Sequence, residues 1–290
     1  MAGGAGSRAP WQPPADGESV ERVRFGPFLT REVVRRPDGS LLVYTSRRQR
    51  KGLGPRLEGA GPPAHRRVVW APGELGWWVA VLFLVGAGCF AVGALPGLSS
   101  VASPELIGVV FFVGSLFFTS AGYAQFLQSI NAGRPEGTRR RLFAVQPRRI
   151  DWWACGVQSV GTLWFNVNTF EAMQTGFTTR QELLRVWTPD FVGSICFLVA
   201  SELAIIEVCQ TWFSTRDRDV SWWIVMVNMV GSVFFMISAV AAFVRPDTGD
   251  LLDATMANTG TFLGAACFFA GARLLLDELA QSEPAPSGQT

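Results

Sequence analysis

The stretch WWVAVLFLVGAGCF at residues 77–90 recurs as WWACGVQSVGTLWF at residues 152–165 and as WWIVMVNMVGSVFF at residues 222–235. Each copy opens with a tryptophan pair, reaches Val-Gly 8 residues after the first tryptophan and ends on phenylalanine 13 residues after it. Successive tryptophan pairs are 75 and then 70 residues apart. Self-similarity at a nearly fixed spacing is the signature of a repeated structural unit. The sequence therefore predicts three copies of one unit.

A second apolar segment follows each of these stretches. It carries Phe-Val-Gly-Ser or Phe-Leu-Gly-Ala at residues 112–115, 191–194 and 262–265, and closes on Phe118, Phe197 and Phe268. All six segments approach the ~20 residues that a helix needs to cross the hydrocarbon core of a bilayer. Their polarity does not alternate as it does in the strands of a membrane barrel.

These patterns predict an all-α integral membrane protein with six transmembrane helices, arranged as three tandem parallel hairpin repeats. The predicted repeats cover residues 74–128, 152–209 and 221–277. The recurring glycines, which include Gly86, Gly161 and Gly231, are expected to let helix backbones approach closely. We expect residues 278–290 to form a disordered tail.

The chain before the first repeat is different in character. Residues 1–19 are rich in Gly, Ala and Pro, which predicts disorder. The β-prone runs at 28–35 and 41–45 flank Pro37-Asp38-Gly39, whose fixed φ and permissive glycine are typical of a tight turn. The sequence therefore predicts a small cytoplasmic β-hairpin within residues 20–50. Two strands are marginal alone, so the hairpin should pack against Val23–Phe25 as a third strand, the membrane surface or another copy.

A basic tract lies after the predicted hairpin and within a Gly/Pro-rich linker at residues 51–73. Such a tract can retain the chain end in the cytoplasm or bind anionic lipid headgroups. Nucleic-acid binding is disfavoured, because no aromatic platform interleaves the arginines. The candidate headgroup contacts are Arg47, Arg48, Arg50, Lys51, Arg66 and Arg67.

Loop charges predict the orientation in the membrane. The loop after the second apolar segment is rich in arginine, whereas the loop after the first, at residues 96–104, has no basic residue. By the positive-inside rule both termini should be cytoplasmic. Arginine outnumbers lysine 24 to 1, a bias typical of GC-rich bacteria, which favours a plasma (inner) membrane. The tryptophans then become anchors at the cytoplasmic interface: Trp77, Trp78, Trp152, Trp153, Trp222 and Trp223.

Polar residues appear where the predicted repeats differ. Gln158 and Asn228 occupy the same repeat position, and Glu202 and Arg273 share another. Counting along the helices places Gln158, Asn228 and Glu202 at comparable depth, which predicts a polar layer in the inner half of the membrane, with Arg273 reaching up to it from near the end of its helix. A carboxylate there is expensive and should face the interior, with Arg273 as the nominated partner of Glu202. The pair is either structural or functional. Glu207, nearer the helix end, is expected to reach the interface.

The helix pairs with Phe-x-Gly-Ser-x-x-Phe, as at residues 112–118, resemble the small bacterial YrhK-like membrane module. The chain from Arg35-Arg36-Pro37-Asp38-Gly39 through Pro147 to Trp153 is similar to six-helix membrane proteins of GC-rich bacteria. These resemblances imply a fold and a location but no activity.

The favoured function is that of a non-enzymatic scaffold or accessory protein acting through its cytoplasmic face. The alternative is a transporter or channel for a small solute or ion, with a polar layer around Glu202. A membrane enzyme acting on a lipid is the third possibility and has no evident acid and base. His65 is the single histidine, so neither a catalytic site nor a metal or cofactor site is predicted. The expected partners are the bilayer, anionic headgroups and a protein at the cytoplasmic face.

Overall fold

The computed structural model describes residues 14, 16–51, 54–59, 70–134, 138–215 and 218–280. Within them, a small antiparallel sheet and a short helix lie against one end of a bundle of six long helices. Most of the two tails predicted to be disordered lies outside the described residues. The predicted headgroup contacts Arg66 and Arg67 also lie outside them.

The sheet has four strands in the order β1-β2-β3-β4. They are β1 (Glu18–Phe25), β2 (Phe28–Arg35), β3 (Leu41–Thr45) and β4 (Arg56–Leu57). The predicted hairpin is confirmed, since β2 and β3 pair antiparallel across a turn in which the Arg36 amide donates to the Ser40 carbonyl at 2.9 Å. Gly39 supplies the positive φ of +83° that this turn needs.

Two boundaries in this region differ from the prediction. Of the three expected packing partners for the hairpin, the third strand is present, but β1 begins at Glu18, inside the segment predicted to be disordered. The strand β4 lies inside the predicted linker and pairs with β3. The sequence marked only Val23–Phe25 of β1 as a possible strand, and β4 has only two residues, so pairing with the hairpin is what defines both boundaries.

The helix α1 (Ser46–Arg50) follows β3 without a loop. Its first turn is capped by the Thr45 hydroxyl, which accepts a hydrogen bond from the Arg48 amide at 3.4 Å. The helix packs against three of the long helices, which brings the basic tract of the sequence onto the end of the bundle. We call this end of the bundle, where α1 lies, the capped end.

The six long helices form a closed ring. They are α2 (Leu75–Gly93), α3 (Pro104–Asn131), α4 (Ile150–Glu171), α6 (Thr188–Cys209), α7 (Val220–Ala241) and α8 (Ala254–Ala280), and a short helix α5 (Thr179–Glu182) and a π-helical turn (Leu183–Trp187) precede α6. Each long helix packs against the next one in the chain, and α8 packs back against α2.

Within the described chain, five helical segments are long and apolar enough to cross a membrane: Leu75–Gly93, Pro104–Asn131, Thr179–Cys209, Val220–Ala241 and Ala254–Ala280. The sequence predicts six. The sixth, α4, has 22 residues but also carries Asp151, Gln158 and two asparagines. These side chains lower its hydropathy, so its crossing of the membrane stays a prediction.

Phenylalanine rings fill the centre of the ring of helices. Phe90, Phe165 and Phe235 contact one another, with centroids 5.8 to 6.4 Å apart. Phe118, Phe197 and Phe268 form a second mutual set at 5.4 to 6.3 Å. The two sets also touch each other, as in the Phe165–Phe197 pair at 5.0 Å. We call these six residues the phenylalanine core.

The helices approach closely at the recurring glycines, as the sequence predicts. A Cβ atom on Gly264 would lie 2.5 Å from the Phe235 ring and 3.0 Å from the Gly231 carbonyl oxygen. A Cβ on Gly86 would lie 3.0 Å from both the Phe118 ring and the Gly114 carbonyl oxygen. Glycine at these positions therefore lets the phenylalanine rings lie directly against a neighbouring backbone.

Replacing Gly264 with alanine should destabilise the bundle, because the new methyl group overlaps the Phe235 ring. Overpacking of this kind costs about 1–3 kcal/mol. We expect the Gly264→Ala variant to melt at a lower temperature than the parent in detergent. The matched control is Gly88→Ala, whose Cβ would make an ordinary contact of 3.9 Å with Phe269. Equal melting temperatures for the two variants would contradict the packing described here.

Candidate functional site

The basic side chains of α1 point into the capped end of the bundle rather than toward a membrane surface. The side chains of Arg47, Arg50 and Lys51 are 7%, 5% and 14% exposed. The prediction that these three contact lipid headgroups is therefore wrong for this structure. Arg48 differs, since its Nε donates to the Gly54 carbonyl at 3.2 Å.

Glu278, near the end of α8, pairs with two of these three cations, Arg47 and Lys51. Arg47 donates two hydrogen bonds to its carboxylate, at 2.8 and 3.1 Å. Lys51 Nζ also contacts Glu278 Oε2, and the Ser221 hydroxyl of α7 donates to Oε1 at 2.6 Å. Four donors thus occupy the roughly four lone-pair sites of one carboxylate. Glu278 ties α1 to both α7 and α8.

Glu207, near the end of α6, is the second buried carboxylate. It is only 2% exposed, accepts from Arg50 Nη2 at 3.3 Å and accepts from the Ser46 hydroxyl at 3.2 Å. The expectation that Glu207 reaches the interface is therefore wrong. Arg50 Nη1 also contacts the Cys155 sulfur of α4 at 3.5 Å. We call Arg47, Arg50, Lys51, Glu207 and Glu278 the buried ion cluster.

The buried ion cluster holds three cations and two carboxylates. Burial, followed by repulsion from Arg50, lowers the pKa of Arg47 to about 10. Burial, followed by repulsion from both arginines, lowers the pKa of Lys51 well below its ordinary value. A neighbouring pair, Arg149 and Asp151, is internally balanced through a hydrogen bond of 3.0 Å from Arg149 Nε. The carboxylate of Asp219, the residue that caps the start of α7, also attracts Arg47 and Lys51 and adds a third negative charge beside the three cations.

A cavity of about 80 Å³ lies between the buried ion cluster and the phenylalanine core. Its lining includes Arg47, Arg50, Lys51 and Glu278 at one side, and Phe197 and Phe268 at the other. Between them, amide side chains contribute polar atoms: Gln125, Gln128, Gln158 and Asn228. The cavity is thus apolar toward the middle of the bundle and cationic toward α1.

The predicted polar layer is divided by this arrangement. Gln158 and Asn228 both line the cavity. Glu202 and Arg273 are not among its lining residues in the described part of the chain, and no ion pair within 4.0 Å joins them there. Instead, Arg273 pairs with Asp277 one turn along α8, at 2.7 Å, and its side chain is 53% exposed. The nominated pair of Glu202 and Arg273 is therefore not formed.

The tryptophan pairs divide into an inner and an outer ring. Trp77 and Trp222 are buried, whereas Trp78, Trp153 and Trp223 are 40% to 48% exposed. Some indole N–H groups bond to the preceding loop, as in Trp152 to the Ala144 carbonyl at 2.8 Å and Trp222 to the Ser214 carbonyl at 2.7 Å. Two outer indoles also bond to the preceding loop, Trp78 to the Pro72 carbonyl at 2.9 Å and Trp153 to the Pro147 carbonyl at 3.0 Å. Tryptophans of both rings therefore hold loops, and the interfacial role stays a prediction for all six.

Sequence reasoning missed both carboxylates of the buried ion cluster as partners of α1. The available signal was that Glu207 and Glu278 each lie near the end of an apolar helix on the side of the arginine-rich loops. A comparison of the chain with protein-family models, with curated proteins and with solved structures finds no match.

Removing one partner of a buried ion pair should lower the stability of the fold far more than removing one partner of an exposed ion pair. We expect Glu207→Gln to lower stability by about 3–5 kcal/mol, because Arg50 would be left buried without its carboxylate. The double variant Arg50→Met with Glu207→Met should recover part of this loss. Denaturant unfolding in detergent measures both effects.

The matched control is Arg273→Met, which removes a cation from the exposed pair with Asp277. Its cost should stay below about 1 kcal/mol. A cost for Glu207→Gln no larger than that of the control would show that the buried ion cluster does not hold α1 in place.

Proposed function

We propose that the chain is a non-enzymatic scaffold or accessory protein of the plasma membrane that presents its β-sheet on the cytoplasmic side. The observation that carries the proposal is the buried ion cluster, which joins α1 to α6 and α8 through ion pairs. Two or more buried ion pairs fix orientation more firmly than a flexible linker would, since separation would leave charges buried without partners. A rigidly oriented sheet suits a docking platform.

The proposed topology has six spans, with α4 as the sixth, and both termini cytoplasmic. Support comes from the closed ring of helices, in which a non-spanning α4 would leave α3 and α6 without a common neighbour. Each set of three residues in the phenylalanine core contains one phenylalanine from each predicted repeat, which further supports six spans. The resemblance of the helix pairs to the YrhK-like module stays a prediction.

Labelling of single cysteines tests whether α4 crosses the membrane. Arg148 precedes α4 and Thr175 follows it, and both are exposed. In intact cells, a membrane-impermeant maleimide should label Thr175→Cys and should leave Arg148→Cys unlabelled until the membrane is permeabilised. Ser99→Cys, between α2 and α3, is the positive control for the outer side. Labelling of Arg148→Cys and Thr175→Cys from the same side would contradict six spans.

Transport of a small solute is the second candidate function, and the cavity lined by Gln158 and Asn228 favours it. The phenylalanine core weighs against it, because six mutually contacting rings occupy the centre of the bundle beyond the cavity. Movement of a solute past this layer would require the rings to separate.

Two measurements on the same protein separate the candidates. Proteoliposomes should show ion and small-solute flux equal to that of protein-free vesicles, and the Glu202→Gln variant should not change it. A photocrosslinking residue at Val20, which is 48% exposed on β1, should give one discrete protein adduct in cells. The same residue at Ser99 should not give that adduct. Flux above background together with no adduct from Val20 would favour transport over the scaffold.

A further inference from the structure

The cavity beneath α1 is lined by more hydrogen-bond donors than the surrounding protein satisfies. Arg50 is 5% exposed, and its Nε atom has no hydrogen-bond partner within the described residues. A buried guanidinium N–H without an acceptor is costly, and such groups in a folded protein call for a missing partner. Arg50 lines the cavity, so that partner can lie there.

Neither carboxylate of the buried ion cluster accepts a hydrogen bond from Arg50 Nε. Glu278 lines the cavity but already accepts from Arg47, Lys51 and Ser221. Glu207 is engaged by Ser46 and by another nitrogen of Arg50. Arg47, Arg50 and Lys51 line the cavity, and among the described residues the Nε–H of Arg50 is left there without an acceptor.

The amide side chains between the buried ion cluster and the phenylalanine core supply neutral donors. Gln125, Gln128, Gln158 and Asn228 bring four side-chain amides to the same cavity from α3, α4 and α7, each with an NH₂ group and a carbonyl oxygen. The Oδ1 of Asn228 is also buried without a hydrogen-bond partner among the described residues, so an anion there would be oriented toward the NH₂ groups. A hydrogen bond from a cationic or amide donor to an ionised acceptor is about twice as strong as a neutral one, particularly away from water. A mixed wall of guanidinium and amide donors is complementary to a negatively charged oxygen cluster.

The size of the cavity limits the ligand. A single water needs about 10–15 Å³ by the same measure, so the volume of about 80 Å³ holds several water-sized groups. This is enough for a small oxyanion and an accompanying water. The acyl chains of a lipid would have to pass between helices of the closed ring, which favours a free anion over a lipid headgroup.

We propose that the cavity beneath α1 binds one small free oxyanion, of the size of phosphate, nitrate or acetate, between Arg50 and the amides of Gln158 and Asn228. The anion accepts a hydrogen bond from the Nε–H of Arg50 and so strengthens the attachment of α1 to the bundle. This proposal does not depend on the scaffold function, because the same site could serve a scaffold or a transporter.

Thermal unfolding of the full chain in a neutral detergent tests the proposal at constant ionic strength set with chloride. Phosphate, nitrate and acetate are titrated separately, and at least one should raise the melting temperature in a saturable manner, since a ligand that binds the folded state stabilises it. Isothermal titration calorimetry then gives the Kd of that anion. A separate arm replaces the anion with phosphatidylglycerol.

Three variants make the test specific. Gln158→Leu touches none of the ion pairs, and Arg50→Lys keeps the charge but removes the unpaired Nε. Each should raise the Kd of the anion about tenfold or more, the effect of losing a hydrogen bond to a charged group. Arg273→Met removes an exposed cation outside the cavity and should leave the Kd unchanged.

The remaining outcomes would overturn the proposal. An absence of saturable stabilisation by all three anions would show that the cavity holds only water. An equal response in Gln158→Leu, Arg50→Lys and the parent would indicate a general salt effect. Saturable binding of phosphatidylglycerol alone would assign the site to a lipid headgroup and not to a free anion.

Discussion

The burial of three cations, two on the five-residue helix α1 and one directly after it, is the constraint on which the arrangement of this molecule depends. Removing an ion from water costs several kcal/mol even after the protein relaxes. The cations of α1 can therefore be buried only where carboxylates are present to pair with them. Those carboxylates, Glu207 and Glu278, lie 157 and 231 residues away from their arginine partners in the chain. The position of the sheet therefore depends on α6 and α8, which come much later in the chain.

The interior of that ring depends on a different interaction. Glycines remove side-chain volume where helices cross, and the phenylalanine core fills the space at the centre with edge-to-face and tilted ring contacts. Hydroxyl pairs add cross-helix hydrogen bonds, as between Ser115 and Thr169 at 2.9 Å and between Ser201 and Ser232 at 2.8 Å. The cavity lies where this apolar packing ends and the buried ion cluster begins.

Local sequence patterns predicted the elements well because each depends on nearby residues. Apolar segments of membrane length became long helices, and Pro37-Asp38-Gly39 became the turn between β2 and β3. Gln158 and Asn228 share a register position after a tryptophan pair, and helical rise alone placed them at one depth. The boundaries of β1 and β4 were not predicted, because these strands are defined by pairing across the sheet and not by their composition.

The sequence by itself determined the long helices, their order and the position of the polar residues along each of them, because rise per residue is a local property. Only the tertiary structure decided which side chains meet. Ser201 and Ala272 line the cavity, whereas Glu202 and Arg273, each one residue further and about 100° round its helix, do not. The rotation of each helix is set by packing against its neighbours. For the same reason, the sequence alone does not show which carboxylates pair with the cations of α1.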